Sequence, residues 1–255
     1  MSRGITGMAV GVLTVLLLIT PGYAFKENIV AAWTMDEGSG KTVHDVANGN
    51  DGELKGGAEW VDGKFGKALS FDGSSGYVEI PFNESLKVIN QGDFTLAAWF
   101  MPNSVPTENK EVFQQGDKNG TGRTWLFIAA NVGEIRSWLG GDGTYSGVNV
   151  KDGEWYHAAV VVTEGGNTDT VQIYVNGKLS GNPLQKAMED SEGNYFIGCH
   201  KNLTNFWDGI IDEVVLFNKA LSEDEIKELM TSGVTSVLAV QPKGKLALRW
   251  GDIKR

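Results

Sequence analysis

The sequence predicts an all-β fold in which two antiparallel sheets stack as a sandwich, with one short helix near the C-terminus. Glycines are many and prolines few, 34 against 6 in 255 residues. Short runs of β-branched and aromatic residues recur between these glycines, as in strands joined by tight turns. A convincing helical pattern occurs once. About a dozen strands with a single helix favour a sandwich over alternating α/β layers.

The clearest local unit is a hairpin centred on Asn176 and Gly177. In the run before this turn, Val171, Ile173 and Val175 fall on one face, because successive side chains of a strand alternate. An Asn-Gly pair supplies the two positive-φ positions of a type I′ turn. We therefore predict two antiparallel strands that meet at this turn.

The other predicted strands follow the same texture along the chain. Residues 94–100 and 158–162 are apolar on both faces, which is typical of strands covered on both sides. The predicted strands are 29–34, 68–72, 77–80, 94–101, 111–115, 125–130, 134–139, 155–163, 195–200 and 209–217.

The predicted helix begins after Ser222. Ser222 and Glu225 have the spacing of a capping box. Ile226 and Leu229 form part of an apolar stripe on one side of the helix, and Gly233 is a typical residue to end it.

Three parts are expected along the chain: a signal peptide over 1–24, one large β domain over 25–233, and a tail of unknown role over 234–255. Residues 10–19 are apolar, and small residues precede a cleavage point after Ala24. The alternative for this segment is a retained membrane anchor, for which the apolar run is short. The tail has a strand-like pattern from residue 237 onward.

Charge and cysteine content narrow the partners and the compartment. Removing 1–24 takes Arg3 from 22 basic residues and leaves the 32 acidic ones, so the net charge becomes −11. This balance argues against a nucleic-acid partner, which requires clustered cations. No second segment approaches membrane-spanning length, and Cys199, the single cysteine, cannot form an internal disulfide. We expect a secreted or cell-surface protein; the oligomeric state is not indicated.

Four segments in order resemble the laminin-G-like family of concanavalin A-like lectins and glucanases, in particular its bacterial exported members. These segments are 32–40, 66–73 with 77–81, 93–100, and 208–214 with 218–222. The resemblance implies a jelly-roll sandwich of two curved antiparallel sheets. It does not choose a function, because this sandwich carries lectins, adhesins and glycosidases alike.

The resemblance also implies a structural calcium ion at a sheet edge. Asp36, Asp72 and Asp212 each end a predicted strand inside a matching segment. Three carboxylates with backbone carbonyls would satisfy the six to eight oxygens that Ca²⁺ takes. A second oxygen-rich loop lies at 45–51. Aspartates beside glycines are also ordinary turn formers, and this alternative stays open.

Aromatic residues near glycine-rich or polar stretches are candidates for stacking against sugar rings. They are Trp125, Trp138, Tyr145 and Trp207. Candidates for added hydrogen bonds are Arg123, Arg136 and Asn149. The alternative for each aromatic residue is ordinary packing inside the sandwich.

No catalytic constellation emerges from the sequence. The Glu-x-Asp-x-x-Glu strand of glycosidases on this fold is absent, and the Gln-Ile-His strand of its alginate lyases is matched only by Gln172, Ile173 and Tyr174. We therefore expect a non-catalytic extracellular recognition module that binds carbohydrate or protein. The alternatives are a glycan-active hydrolase or lyase on the same fold, and a structural cell-surface or matrix protein.

Overall fold

The computed structural model describes residues 25–88, 91–116, 123–129, 132–139, 142–188 and 192–239, with the side chains of 123–125 outside this description. The predicted signal peptide and the tail after residue 239 also lie outside it.

The described strands form two antiparallel sheets of eight strands each, as the sequence predicts. In chain order the strands are β1 (Ile29–Trp33), β2 (Thr42–Val43), β3 (Gly52–Lys55), β4 (Glu59–Asp62), β5 (Lys67–Asp72), β6 (Tyr77–Ile80), β7 (Phe94–Pro102), β8 (Lys110–Gln115), β9 (Arg123–Ile128), β10 (Glu134–Leu139), β11 (Asp142–Asn149), β12 (Tyr156–Thr163), β13 (Asp169–Val175), β14 (Lys178–Lys186), β15 (Tyr195–Ile197) and β16 (Asp208–Phe217). The first sheet has the order β14-β13-β12-β7-β16-β5-β4, with β1 also paired to β16. The second sheet has the order β11-β10-β9-β8-β15-β6-β3-β2.

The main core lies between the two sheets and is rich in aromatic rings. Trp33 of the first sheet faces Phe113 of the second at 6.2 Å between ring centroids, and Phe113 contacts Tyr195 at 5.6 Å. All three side chains are fully buried. The polar atoms of the two larger rings are paired: the Trp33 indole donates to the Asn50 carbonyl oxygen and the Tyr195 hydroxyl to the Leu86 carbonyl oxygen. Burial of each such ring stabilises the fold by about 1.5–3 kcal/mol.

A second, smaller core covers part of the outer face of the first sheet. Helices α1 (Glu223–Ser232) and α2 (Val234–Ala239) bury Ile226, Val234 and other apolar side chains against Ala159 of β12. This packing explains why the sequence of β12 is apolar on both faces.

The capping of α1 is confirmed. The Ser222 hydroxyl accepts from the backbone N–H of Glu225, and the Glu225 carboxylate accepts from that of Ser222 at 2.9 Å. Gly233 ends the helix with φ of 73°, a left-handed conformation that glycine adopts without strain.

The strand-like prediction for the start of the tail is wrong, because residues 234–239 form α2. The buried Glu213 carboxylate accepts a hydrogen bond from the first backbone N–H of this helix, that of Val234. Val234 and Val237, three residues apart, then pack into the smaller core. Tertiary contacts thus override the local sequence pattern.

The hairpin at Asn176 and Gly177 is confirmed, with φ of 49° and 76° at the two turn residues. Strand β11 is not predicted, because its sequence contains two glycines. A Cβ at Gly143 would come within 2.9 Å of the Trp138 indole, so this ring occupies the space that a side chain would need. An aromatic ring over a glycine in this way supports an edge strand.

None of the helices in the described part of the chain is long and apolar enough to cross a membrane.

Candidate functional site

Two exposed rings lie side by side on the outer face of the second sheet. Trp138 of β10 is 39% exposed and Tyr145 of β11 is 48% exposed. Arg136 pairs with Tyr145 across the two strands, and Trp138 follows two positions later on the same face. Other large aromatic side chains with described surroundings are buried or half-buried. We call Arg136, Trp138 and Tyr145 the aromatic platform.

Arg136 contacts both the Tyr145 ring and the Glu134 carboxylate. Its guanidinium carbon lies 4.5 Å from the centroid of the Tyr145 ring. The same guanidinium donates a hydrogen bond from Nε to one oxygen of Glu134 at 2.7 Å, and its Nη2 forms an ion pair with that oxygen at 2.6 Å. The other Glu134 oxygen accepts from the backbone N–H of Gly147 at 2.9 Å. Stacking and ion pairing together hold the Tyr145 ring in one place.

On the side of β11 the platform is flat. Gly143 and Gly147 sit on the same face of β11 as Tyr145, so this strand places no other bulky side chain beside the rings. On the side of β9, Phe127 is in register with Arg136 and is buried. Asn149 is exposed at the end of this strand, in register with Glu134. Its amide is therefore available to a ligand lying along β11.

The residues predicted to stack on sugar rings lie in different environments. Trp138 and Tyr145 lie side by side at the surface. Arg123 and Trp125 lie on β9, but their side chains lie outside the described residues. Trp207 is 1% exposed and packs edge-to-face against Phe100 in the main core, so its prediction as a surface platform is wrong. Asn205 and Asp208 near it in sequence are polar, but Trp207 lies just before β16 and its ring is part of the main core.

The predicted calcium ligands are not gathered into one cluster. Asp36 and Asp212 lie beside the β4–β5 turn, where Asp36 accepts from the backbone N–H of Lys67 at 2.8 Å. Asp72 lies at the opposite end of β5. Among the described side chains, no group of three or more His, Cys, Asp and Glu residues is arranged to hold a metal ion. The calcium site remains a prediction.

Asp72 stabilises the turn that follows β5 through hydrogen bonds. It accepts hydrogen bonds from the backbone N–H groups of Ser74, Ser75 and Gly76, at 2.8–2.9 Å, and from two serine hydroxyls. Burial opposes ionisation of this carboxyl, but the hydrogen bonds from Ser75, Gly76 and Ser74 outweigh it and hold its pKa well below the ordinary range. The geometry is that of a turn-forming aspartate.

The oxygen-rich loop at 45–51 is also closed by internal hydrogen bonds. The buried Asp45 carboxylate accepts from the backbone N–H groups of Ala32, Ala47 and Asn50, at 2.8–3.0 Å. These contacts account for the aspartate and asparagine content of the loop without a ligand.

Two consecutive buried acids lie where β16 bulges. Asp212 is fully buried, and one of its oxygens accepts from the backbone N–H groups of Lys64 and Phe65, at 2.8 and 3.0 Å. Burial raises the pKa of Asp212 to about 8 and that of Glu213 to about 7. Perturbed carboxyls often mark functional sites. Here each is enclosed and bonded to backbone, so the pair fastens the β4–β5 turn and α2 to the sheet.

Next to Asp212 the outer face of the first sheet carries a row of buried polar groups. Trp99 pairs with Asp212 on one side and with His157 on the other, with 5.3 Å between the Trp99 and His157 ring centroids. The Lys64 ammonium lies 4.4 Å from the Trp99 ring. Burial lowers the pKa of His157 to about 3, so this imidazole is neutral at physiological pH. This row could not be predicted from the sequence, because Asp212, Trp99 and His157 come from three separate strands.

Two broad grooves complete the surface. One, about 700 Å³, lies between the turn after β5 and the loops at residues 107–110 and 204–206. The other, about 620 Å³, lies beside Trp60, whose indole donates to the Gly40 carbonyl oxygen at 3.0 Å. The first is lined mostly by polar side chains and the second by polar and apolar groups alike, and neither has an exposed aromatic ring.

The two stacked antiparallel sheets place this protein among the lectin-like β-sandwiches in fold. The family model described as the concanavalin A-like lectin/glucanases superfamily matches residues 72–227, more than half of the chain. The chain belongs to this superfamily. No curated protein matches it in sequence.

Solved structures share the fold at low identity. Domain 4 of AbnA, a GH43 extracellular arabinanase from Geobacillus stearothermophilus in complex with arabinotriose, aligns with a TM-score of 0.57 and 19% identity over 79% of this chain and 98% of that one. Trypanosoma rangeli sialidase gives 0.63 and 20%, over 81% of this chain and 33% of the sialidase. The binding domain of Paraclostridial Mosquitocidal Protein 1 gives 0.59 and 18%, over 81% and 52%. At these identities the likeness concerns the fold alone.

Proposed function

We propose that this protein is a non-catalytic carbohydrate-recognition domain that works outside the cell, with a glycan lying across the aromatic platform. The observation that carries the proposal is the exposure of Trp138 and Tyr145 side by side on the outer face of the second sheet. The export of the chain rests on the signal-peptide pattern in residues 1–24.

The chemistry of the platform suits a sugar. The C–H face of a pyranose or furanose ring is apolar and packs on an aromatic ring, while the hydroxyl groups at its edge form hydrogen bonds. Diagonal neighbours on adjacent strands are about 7–8 Å apart, so Trp138 and Tyr145 can contact nearby sugar units of one chain. Asn149, which is exposed at the end of β11, is available to the hydroxyls.

A non-catalytic role agrees with the positions of the acids. Glu134 is the carboxylate beside the platform, and both of its oxygens are engaged by Arg136 and Gly147. The acids with strongly raised pKa values, Asp212 and Glu213, are buried in the other sheet. Neither arrangement presents a pair of carboxylates across an open groove, as glycoside hydrolysis requires.

The proposal is tested by screening the purified protein against immobilised glycans and then comparing Trp138→Ala and Tyr145→Ala with the parent chain. Loss of one stacking contact of about 0.5–1.5 kcal/mol predicts a roughly twofold to tenfold weaker Kd for each variant. Val46→Ala, which trims an apolar side chain 49% exposed on a distant loop, is the matched control. Unchanged glycan binding in both aromatic variants would refute the proposal.

A further inference from the structure

We infer that the aromatic platform selects an uncharged glycan over an acidic one, and that Arg136 is a positioning residue for Tyr145 rather than a receptor for carboxylate groups. This inference deepens the proposed function and rests on it. An arginine on a sugar-binding surface would ordinarily indicate an acidic sugar, because the guanidinium matches a carboxylate with two parallel hydrogen bonds. The contacts of Arg136 point the other way.

The guanidinium of Arg136 is already engaged by a carboxylate of the protein itself. Its Nε donates to one oxygen of Glu134 and its Nη2 is paired with the same oxygen, and both side chains are largely withdrawn from water, at 27% and 13% exposure. Gly147 holds the second Glu134 oxygen in place. A uronic acid would have to compete with this ion pair, and any Glu134 it displaced would be left partly buried and without its cation.

A second ion pair lies near the platform. Asp142, at the start of β11, accepts from the Lys186 ammonium at 3.2 Å. Among the described side chains, Glu134 with Arg136 and Asp142 with Lys186 thus form two neutral pairs here. The whole chain has a net charge of −10, so a polyanionic glycan is repelled at longer range as well.

Arg136 fixes the orientation of the Tyr145 ring. Its guanidinium stacks on Tyr145 at 4.5 Å while nearly half of this side chain stays exposed. A ring held in one orientation loses less conformational freedom when a sugar packs on it, and binding is tighter as a result. Glu134, Arg136 and Tyr145 thus act as one unit that presents a flat, neutral surface.

The test uses two matched pairs of oligosaccharides of equal length: a β-1,4-glucan with its C6-oxidised β-1,4-glucuronan, and an α-1,4-galactan with its α-1,4-galacturonan. Calorimetric titration should show at least one neutral member binding roughly tenfold or more tightly than its acidic partner. Its Kd should stay constant between about 50 and about 500 mM NaCl, since no ion pair with the ligand is involved.

Glu134→Gln separates positioning from a merely structural role. The variant releases Arg136 while keeping a hydrogen-bond acceptor, so the ratio of acidic to neutral affinity should rise roughly threefold or more. Glu79→Gln, which removes a similarly half-buried ion pair with Lys55 on β6 and β3 of the same sheet, should leave the ratio unchanged. Equal ratios in Glu134→Gln and the parent chain would overturn the role assigned to Arg136.

The outcomes distinguish the two proposals. Salt-sensitive preference of the parent chain for the acidic members overturns neutral selection, while loss of that binding in Trp138→Ala would still support the platform as the glycan site. Absence of binding to all four oligosaccharides and to the glycan screen overturns both.

Discussion

The burial of Asp212 predicts how the stability of the protein changes with pH. This carboxyl is fully buried, with one oxygen accepting from Lys64 and Phe65 and the other without a hydrogen-bond partner among the described residues. Burial raises its pKa from 3.8 to about 8. The folded protein therefore holds a proton on Asp212 at neutral pH, whereas the unfolded chain does not.

The direction and size of the effect follow from this difference. A raised pKa in the folded state contributes stability fully at pH values below the unfolded pKa, and the contribution is lost as pH rises toward the folded pKa. Each pKa unit corresponds to about 1.4 kcal/mol, so a shift of roughly four units implies a loss on the order of 5 kcal/mol between about pH 4 and about pH 8. Glu213, whose pKa is raised to about 7, acts in the same direction.

Asp212→Asn removes the ionisation while its amide oxygen still accepts from Lys64 and Phe65. The free energy of unfolding, measured with urea at intervals from about pH 4 to about pH 9, should fall more steeply with pH in the parent chain than in the variant. The difference between the two should change by several kcal/mol in favour of Asp212→Asn across this range. Parallel pH profiles of the two proteins would refute the reasoning.

Asp72→Asn is the matched control of opposite sign. The pKa of Asp72 is lowered, so its contribution is present above the ordinary carboxyl pKa and is lost as pH falls. This variant should be destabilised at neutral pH, and the destabilisation should shrink toward about pH 3.

Three further predictions concern the platform, the helix and the calcium ion. Gly143→Val places a side chain where the Trp138 indole lies, so glycan titration should show roughly tenfold weaker binding, whereas Val46→Ala, on a distant exposed loop, should leave Kd unchanged. Ser222→Ala removes the N-cap of α1 and should lower the free energy of unfolding by about 1 kcal/mol. Ser222→Asp still caps the helix and should keep most of the stability of the parent chain. The calcium ion proposed from the sequence requires that a chelator lowers the melting temperature and that Asp212→Ala abolishes this effect; an unchanged melting curve would end that proposal.

Much of the fold could be predicted because its determinants are local. The alternation of Val171, Ile173 and Val175, the Asn-Gly turn and the Ser222 capping box each act within a few residues, and each is found as predicted. Strand β11 and helix α2 were missed for the opposite reason. Trp138 supports the glycines of β11, and Glu213 caps α2 from a distant strand, so neither cause is visible in the local sequence.

The candidate site could be predicted only in part. Their glycine-rich surroundings indicated that Trp138 and Tyr145 face solvent, and both rings are exposed, but the same argument failed for Trp207. Register decides the difference, since a ring one position along a strand points to the other face. The brace between Glu134 and Arg136 depends on a pairing of β10 with β11 that no short motif encodes.

The most direct measurement of the central claim is an NMR titration of the protein with a neutral oligosaccharide that binds in the glycan screen. If the glycan lies on the aromatic platform, the largest chemical-shift changes occur at the Trp138 indole N–H and at backbone amides of β10 and β11, including those of Gly143 and Tyr145. Amides of the groove at residues 107–110 and 204–206 should stay unchanged. Shifts centred on that groove, with the Trp138 indole unaffected, would contradict the account.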